Sequence, residues 1–323
     1  MLRYNELLSR HTSFRIGGPA YCWAEPGNPK EILEAISLAK SKNKKFIIAG
    51  KGTNLLARDE GFDGVIIHLA GDFEKIELKS GDIIKVGAGL GLAKLVKYAF
   101  DKSLGGCEFL AGIPGDLGGA IFMNAGARRP KGEPGFIEIK DILLDIEVLD
   151  LKDKKMEPTG GSCGRNTERP EHICGLKAAT VLGRECIKIL GKKEIDFRYR
   201  SSGLDGKIIL GARLSLKKDK KEDMQLRISE FNKKREWLTK IGFPNAGSIF
   251  KNPGADKPAG MLIESCGLKG KRIGDAEISG VHANVIVNLG KAAAKDVLGL
   301  IDLARTSVKQ KFGIDLELEL KIL

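Results

Sequence analysis

Ser248 sits in FPNAGSIFKNP, residues 243–253, among Asn, Gly and Pro residues that read as a loop. A serine nucleophile needs a base to take its proton. This stretch holds no His, Asp or Glu. Nor is it a G-x-S-x-G elbow, since Ala246 and Phe250 stand at the two glycine positions. Three glycine-rich segments carry other chemistry. In GKGTNLLARD, residues 50–59, Gly50 and Gly52 let backbone N–H groups turn toward an anion, and Thr53 and Asn54 add side-chain donors. The spacing is not that of a P-loop, and a tight strand-to-loop turn is the plain alternative. GAGLGLA, residues 87–93, starts like a dinucleotide fingerprint but has Leu92 where the third glycine belongs. In AGIPGDLGGAIFMNAGA, residues 111–127, Gly112, Gly115, Gly118, Gly119 and Gly126 surround Pro114, followed by Ala120, Ala125 and Ala127. Residues this small build little core, and their density points to a flat or charged ligand lying against main chain.

These segments need elements to hold them. PKEILEAISLAKSKN, residues 29–43, puts Ile32, Ala35, Ile36 and Ala39 on one helical face, with Pro29 in the first turn. FIIAG (46–50), GVIIHL (64–69), IIKVGAG (83–89), DILLDIEVLD (141–150) and KIILGARLSL (207–216) read as strands, and LAKLVKYAFDKS (92–103) as a helix. A charged helix over about residues 220–239 has Met224, Ile228, Phe231 and Leu238 as its apolar stripe. A second strong helix spans residues 292–312, with Val297, Leu300, Ile301, Ala304 and Val308 aligned. The chain closes on DLELELKIL, an alternation that sets Leu316, Leu318, Leu320 and Ile322 against Glu317, Glu319 and Lys321, as in a half-buried strand. Between residues 158 and 193 the texture turns polar and turn-rich, like an insertion, with LKAATVLGRECIKILGKK as a short helix. The class is α+β or mixed α/β.

A chain of 323 residues buries a real core and suggests two or three domains. Its apolar runs fall far short of the roughly 20 residues of a membrane span. The first residues lack a signal-peptide core, so a soluble cytoplasmic protein is expected. Six cysteines without close pairing read as reduced thiols, and no metal is expected; a zinc site with His172 would lack the close ligand pairs such sites use. The formal charge of +12 favours anionic ligands. The densest basic run, residues 217–235, has Phe231 as its one aromatic and reads as a solvated helix face rather than a nucleic-acid surface.

Eight blocks together resemble the UDP-N-acetylenolpyruvoylglucosamine reductase family, in that family's order over nearly the whole chain. They are TSFRIGGPA, GKGTNLL, AGIPGDLGGAIFMNAGA, FRYRSS, NAGSIFKNP, LIESCGLKGKRIGDAEIS, HANVIVN and the terminal LELEL. The resemblance implies an α+β protein. Residues 1–214 would form a two-subdomain FAD-binding unit of the vanillyl-alcohol-oxidase (PCMH) type, with an insertion near 158–193. Residues 215–323 would form a substrate domain whose last strand returns toward the flavin site. No tyrosine-bearing substrate loop is evident, as in the family's shorter form.

The implied cofactors are non-covalent FAD and NADPH, whose hydride passes through flavin to C3 of an enolpyruvyl UDP-sugar, giving UDP-N-acetylmuramate for peptidoglycan. The implied FAD contacts are Gly50, Lys51, Gly52, Thr53 and Asn54, and in the second segment Gly112, Ile113, Pro114, Gly115, Gly118, Gly119, Asn124 and Ala125. Arg200 of FRYRSS would grip the substrate carboxylate, Glu319 would stabilise the enolic form, and Ser248 would deliver a proton to C2. Asn252, His282 and Lys251 (or Lys240) would contact the substrate. A monomer that binds neither nucleic acid nor membrane is implied. Asp116 departs from the family's usual hydroxyl residue, and either sets a negative charge near a diphosphate or points outward. The residues after the flavin segment, 128–136, lengthen a turn. The main alternative is another FAD enzyme on the same scaffold, with His68 or Cys107 as a covalent flavin anchor.

Overall fold

The computed structural model describes residues 1–129, 135–151, 187–254 and 256–323. The first sheet orders strands Leu2–Leu7, Pro19–Ala24, Phe62–Ile67 and Lys45–Ile48, the first pair antiparallel and the rest parallel. Helix Pro29–Ser41 covers it and buries Ile32, Ala35, Ile36 and Ala39, as its spacing predicts. Its start is fixed locally: Asn28 accepts from the Glu31 N–H at 3.2 Å, Pro29 occupies the first turn, and Glu31 accepts from the Gly27 N–H at 2.7 Å.

The second sheet is antiparallel, in the order Ile187–Gly191, Leu143–Asp150, Lys207–Ser215, Ile83–Gly87 and Ile76–Leu78. Helices Leu92–Asp101 and Leu117–Phe122 pack their buried residues into the same core as both sheets. The edge strand Ile187–Gly191 corrects the expectation of a helix there. The open edge of Leu143–Asp150 offers a full ladder, pairing Glu147 with Ile189, and this outweighs a weak helical pattern. The rest of the polar stretch, with Cys163, Cys174, Cys186 and His172, lies outside the described residues.

The charged helix breaks into Lys221–Lys234 and Glu236–Ile241. Phe231 and Ile228 pack into the first core, so this helix adheres to the unit built by the two sheets. A separate core gathers Val297, Leu300, Ile301, Ala304 and Val308 of helix Ala294–Phe312, part of helix Ala259–Ser265 and the sheet Arg272–Ile273, Ala276–Ile278, Ile286–Asn288. Phe14, Ile16 and Leu56 from the front of the chain join that second core. No helix among the described residues is long and apolar enough to cross a membrane.

The terminal alternation is kept in part: Leu316 and Leu320 are each 2% exposed and Glu317 is exposed, but Glu319, expected on the open face, is half-buried. As regular strand, however, only Lys321–Ile322 forms, pairing in parallel with Leu55–Leu56. Before it, the chain binds one residue at a time: Lys251 N–H to Glu317 O at 2.8 Å, and Glu319 N–H to Ile249 O at 2.9 Å. The segment stitches the Ser248 loop to the Gly50–Asn54 loop and has no wide sheet edge to join.

Candidate active site

Four segments far apart in sequence meet around Ser248. On its C-terminal side, buried Asn284 grips the chain, its amide donating to Phe250 O at 2.8 Å and its Oδ1 accepting from the Phe250 N–H at 3.0 Å. The Ile249 N–H donates to Asn284 O at 2.9 Å. On the other side Asn245 Oδ1 accepts from the Gly247 N–H at 3.0 Å, and Gly247 takes φ +70°. Ser13 Oγ donates to Asn245 O at 2.7 Å, while the Ser13 N–H donates to Gly52 O at 3.1 Å. Thus TSFRIGG joins the serine loop to the glycine loop. The Ser248 side chain is half-buried, and its hydroxyl makes no hydrogen bond among the described residues.

Arg200 lies in a tight turn closed by Arg198 N–H to Ser201 O at 2.9 Å and Ser201 N–H to Arg198 O at 3.2 Å. Two buried side chains dock that turn on the flavin segment: Asn124 Nδ2 donates to Arg198 O at 3.1 Å and Ser202 Oγ to Phe122 O at 2.9 Å. The result brings Arg200 Nε within 3.0 Å of Glu319 Oε1. The angle is poor, so the buried Nε–H is left without a hydrogen-bond acceptor. Burial raises the Glu319 carboxyl above the ordinary glutamate range, against the pull of Arg200 and Lys251.

The glycine loop is built for close approach. A side-chain carbon on Gly52 would lie 2.2 Å from the His11 carbonyl. No backbone hydrogen bond among the described residues uses the N–H of Gly52, Thr53 or Asn54, which leaves a row of donors suited to an anion. The side chains differ from expectation. Asn54 Nδ2 is taken up by Glu319 O at 3.0 Å and Thr53 Oγ1 leans on Pro114 O at 3.4 Å, because the loop must be tied to its neighbours.

The long glycine segment divides by task. Gly118 packs against Ala88 and Gly126 against the Ile137 carbonyl, so these serve packing. Gly112 and Gly115 take φ of +72° and +121° in the turns around Ile113 and Pro114. Gly119 faces open space, with nothing within 4 Å of the point where a side-chain carbon would sit. Asp116 does not point outward: it is 4% exposed, its Oδ1 3.3 Å from Lys51 Nζ. Asn124, fully buried, takes φ +43° and leaves its Oδ1 without a donor. Ala125 is buried beside it.

Of the expected substrate contacts, Asn252 Oδ1 already accepts from the Ala259 N–H at 3.0 Å, leaving only its amide N–H groups to a ligand. His282 stacks on Trp237 at 4.5 Å, and its Nδ1 accepts from the Asn284 N–H at 3.2 Å. Burial lowers its basicity, so the neutral ring carries its proton on Nε2. Lys251 pairs with Glu317, and Lys240 is exposed on its helix.

Sequence reading missed Arg235. Its guanidinium turns inward to Ala111 O at 2.5 Å and Phe109 O at 3.1 Å, and burial, with Arg200 beside it, lowers its pKa to about 10. Nothing in a run of charges separates one inward arginine from its solvated neighbours. Others in that run are also committed to the fold, Arg227 to Glu108 and Lys234 to Arg129 O.

Comparisons with known proteins give the family. Residues 20–154 match the family described as FAD binding domain, and residues 239–323 the C-terminal domain of UDP-N-acetylenolpyruvoylglucosamine reductase. A UDP-N-acetylenolpyruvoylglucosamine reductase of Desulforamulus reducens is 37% identical, covering 100% of this chain and 93% of its own. The chain belongs to this reductase family. The Bacillus subtilis member is 34% identical over 99% of this chain and 93% of its own. The crystal structure of the Thermus caldophilus reductase superposes with a TM-score of 0.74 at 34% identity, covering 100% of this chain and 99% of that one. The protein is therefore an FAD-dependent oxidoreductase, with the two-subdomain FAD-binding unit and α+β C-terminal domain the resemblance implied.

Proposed function

We propose that this family member reduces UDP-N-acetylglucosamine enolpyruvate to UDP-N-acetylmuramate in peptidoglycan precursor synthesis, with NADPH as hydride donor. The observation that carries the site reading is the position of its orphaned polar atoms. Among the described residues, the buried side-chain atoms without a hydrogen-bond partner are Asp116 Oδ1, Asn124 Oδ1 and Arg200 Nε. All three lie in the segment 111–127 or the arginine turn, two of them facing charged partners without a well-made hydrogen bond, Lys51 at 3.3 Å and Glu319 at 3.0 Å, and such imperfectly satisfied polar groups support a polar ligand site here.

The open donors of Gly52, Thr53 and Asn54 fit a diphosphate, and the space over Gly119 fits a flat ring laid on main chain. FAD held there and reduced by NADPH would supply the hydride for C3 of the enolpyruvyl group. Negative charge then develops at C2 and its carboxylate, and the protein must hold it. Arg200 binds the carboxylate through its free guanidinium edge, with Glu319 fixing the guanidinium and Arg235 adding a second positive charge. Ser248 Oγ holds the proton that goes to C2. An uncommitted hydroxyl suits an acid that gives a proton to a strong carbon base, so no base partner is required. Lys251, the Asn252 amide and the His282 Nε2–H are the donors left for the sugar nucleotide.

Cys107 is 1% exposed and burial pushes its thiol up to about 12, which argues against a covalent flavin anchor there. The commitment of Arg227, Lys234 and Arg235 to intramolecular partners argues against a nucleic-acid surface on that run. We take the working form to be a cytoplasmic monomer.

Ser248→Ala tests the roles. The purified variant should stay yellow and be bleached by NADPH at the normal rate, while turnover of the enolpyruvyl sugar falls by about 10²–10⁴. Normal turnover would return Ser248 to a turn residue. Protein that is colourless and cannot be loaded with FAD would overturn the whole reading.

A further inference from the structure

Asp116 is a buried carboxylate inside the segment proposed to hold an anionic cofactor. It is 4% exposed, and its Oδ1 faces the Lys51 ammonium at 3.3 Å but makes no well-formed hydrogen bond among the described residues. The charged and titratable groups facing it are Lys51, through both ammonium and backbone N–H, and more distantly His68. Lys51 Nζ stands 3.3 Å from Oδ1. Lys51 itself belongs to the loop whose neighbouring N–H groups, at Gly52, Thr53 and Asn54, make no backbone hydrogen bond among the described residues. A side-chain carbon on Gly50 would lie 2.9 Å from Asp116 Oδ2, so the carboxylate also bears directly on the loop's backbone. One lysine thus serves a resident carboxylate at the place where a diphosphate would need it.

Resting on the proposed FAD site, we propose that Asp116 binds a proton when the cofactor's diphosphate binds, so that cofactor retention is linked to pH through this one side chain. Two fixed negative charges brought beside a buried carboxylate disfavour its charged form. The neutral acid removes the repulsion and turns an orphaned acceptor into an O–H donor. It also frees Lys51 to face the diphosphate. Burial already pushes the Asp116 carboxyl above the ordinary aspartate range, against the opposing pull of Lys51 and His68.

The sign follows from linkage. Because the bound state holds the proton more tightly, affinity is greatest below the free protein's pKa. It weakens as pH rises between the free and bound values, and levels off above both.

The holoenzyme, full chain, is diluted at pH values from about 5.5 to about 8.5, and the fluorescence of released flavin gives Kd. The wild type should release FAD more readily as pH rises, by about tenfold or more across the range. Asp116→Asn and Asp116→Ser should hold FAD with a Kd that is flat in pH and near the wild type's low-pH value. Two variants are used so that one misfolded protein, seen by circular dichroism, leaves the other to decide. Equal pH dependence in wild type and variants, or none in either, overturns the linkage while leaving the FAD site intact. Wild type that holds no FAD at any pH overturns the site reading as well.

Discussion

Arg200 takes φ +56°, a left-handed backbone shape that costs a non-glycine residue about 1 kcal/mol. It keeps that shape because Asn124 and Ser202 fasten its turn to the flavin segment and Glu319 meets its side chain. Its substitution is therefore informative. Arg200→Lys keeps the charge and loses the planar fork that matches a carboxylate. We expect kcat/KM for the enolpyruvyl sugar to fall about thirtyfold, near 2 kcal/mol of transition-state binding, with the flavin spectrum unchanged. An unchanged kcat/KM would place the carboxylate elsewhere. Arg200 and Ser248 were legible as candidates only through their motifs, since a lone arginine in a turn and a lone loop serine have commoner roles. Arg235 and the Lys51–Asp116 contact were not legible, because no local pattern tells which charged side chains turn inward.

At the level of elements, the glycines of the flavin segment carry two distinct loads. Gly118 lets helix Leu117–Phe122 sit on Ala88, whereas Gly119 faces open space. The two should separate by experiment. Gly119→Ala in a helix should leave the apoprotein as stable or up to about 1 kcal/mol more so, yet weaken FAD binding measurably in a fluorescence titration. Gly118→Ala would press on Ala88 Cβ at 3.1 Å and should lower Tm. If Gly119→Ala binds FAD as tightly as wild type, the open face is not the flavin's. Helices and strands with clear periodicity were readable because burial of one face fixes the period, as in Pro29–Ser41 and Ala294–Phe312. Ile187–Gly191 was not, since a pairing edge supplied by Leu143–Asp150 decided its form.

Across the whole molecule, the last residues tie the second core to two loops. Lys321 N–H donates to Asn54 O at 3.1 Å and Leu323 N–H to Leu56 O at 2.9 Å, while Leu320 sits in the second core. Deleting residues 321–323 removes those two bonds, worth about 1–3 kcal/mol together. It should loosen the glycine loop as much as it lowers global stability. We expect a lower denaturation midpoint and faster FAD loss on dilution. A stability loss with FAD retention unchanged would mean that the loop holds its shape without this clasp.

The sequence by itself determined the mixed helix-and-strand class, the main helices, the glycine-rich loops and, through eight ordered blocks, the family. Those features depend on local periodicity, on glycines that permit close backbone approach, and on motifs contiguous along the chain. The tertiary structure alone decided which polar groups remain free. Asn54, Asn252 and His282 Nδ1 were committed to holding backbone, while Ser248 Oγ, Arg200 Nε and Asp116 Oδ1 have no hydrogen-bond partner among the described residues. A hydrogen-bond donor or acceptor is used up by whichever partner the fold brings within about 3 Å. The partner of Asn54 is 265 residues away, a pairing that no reading of neighbouring residues contains.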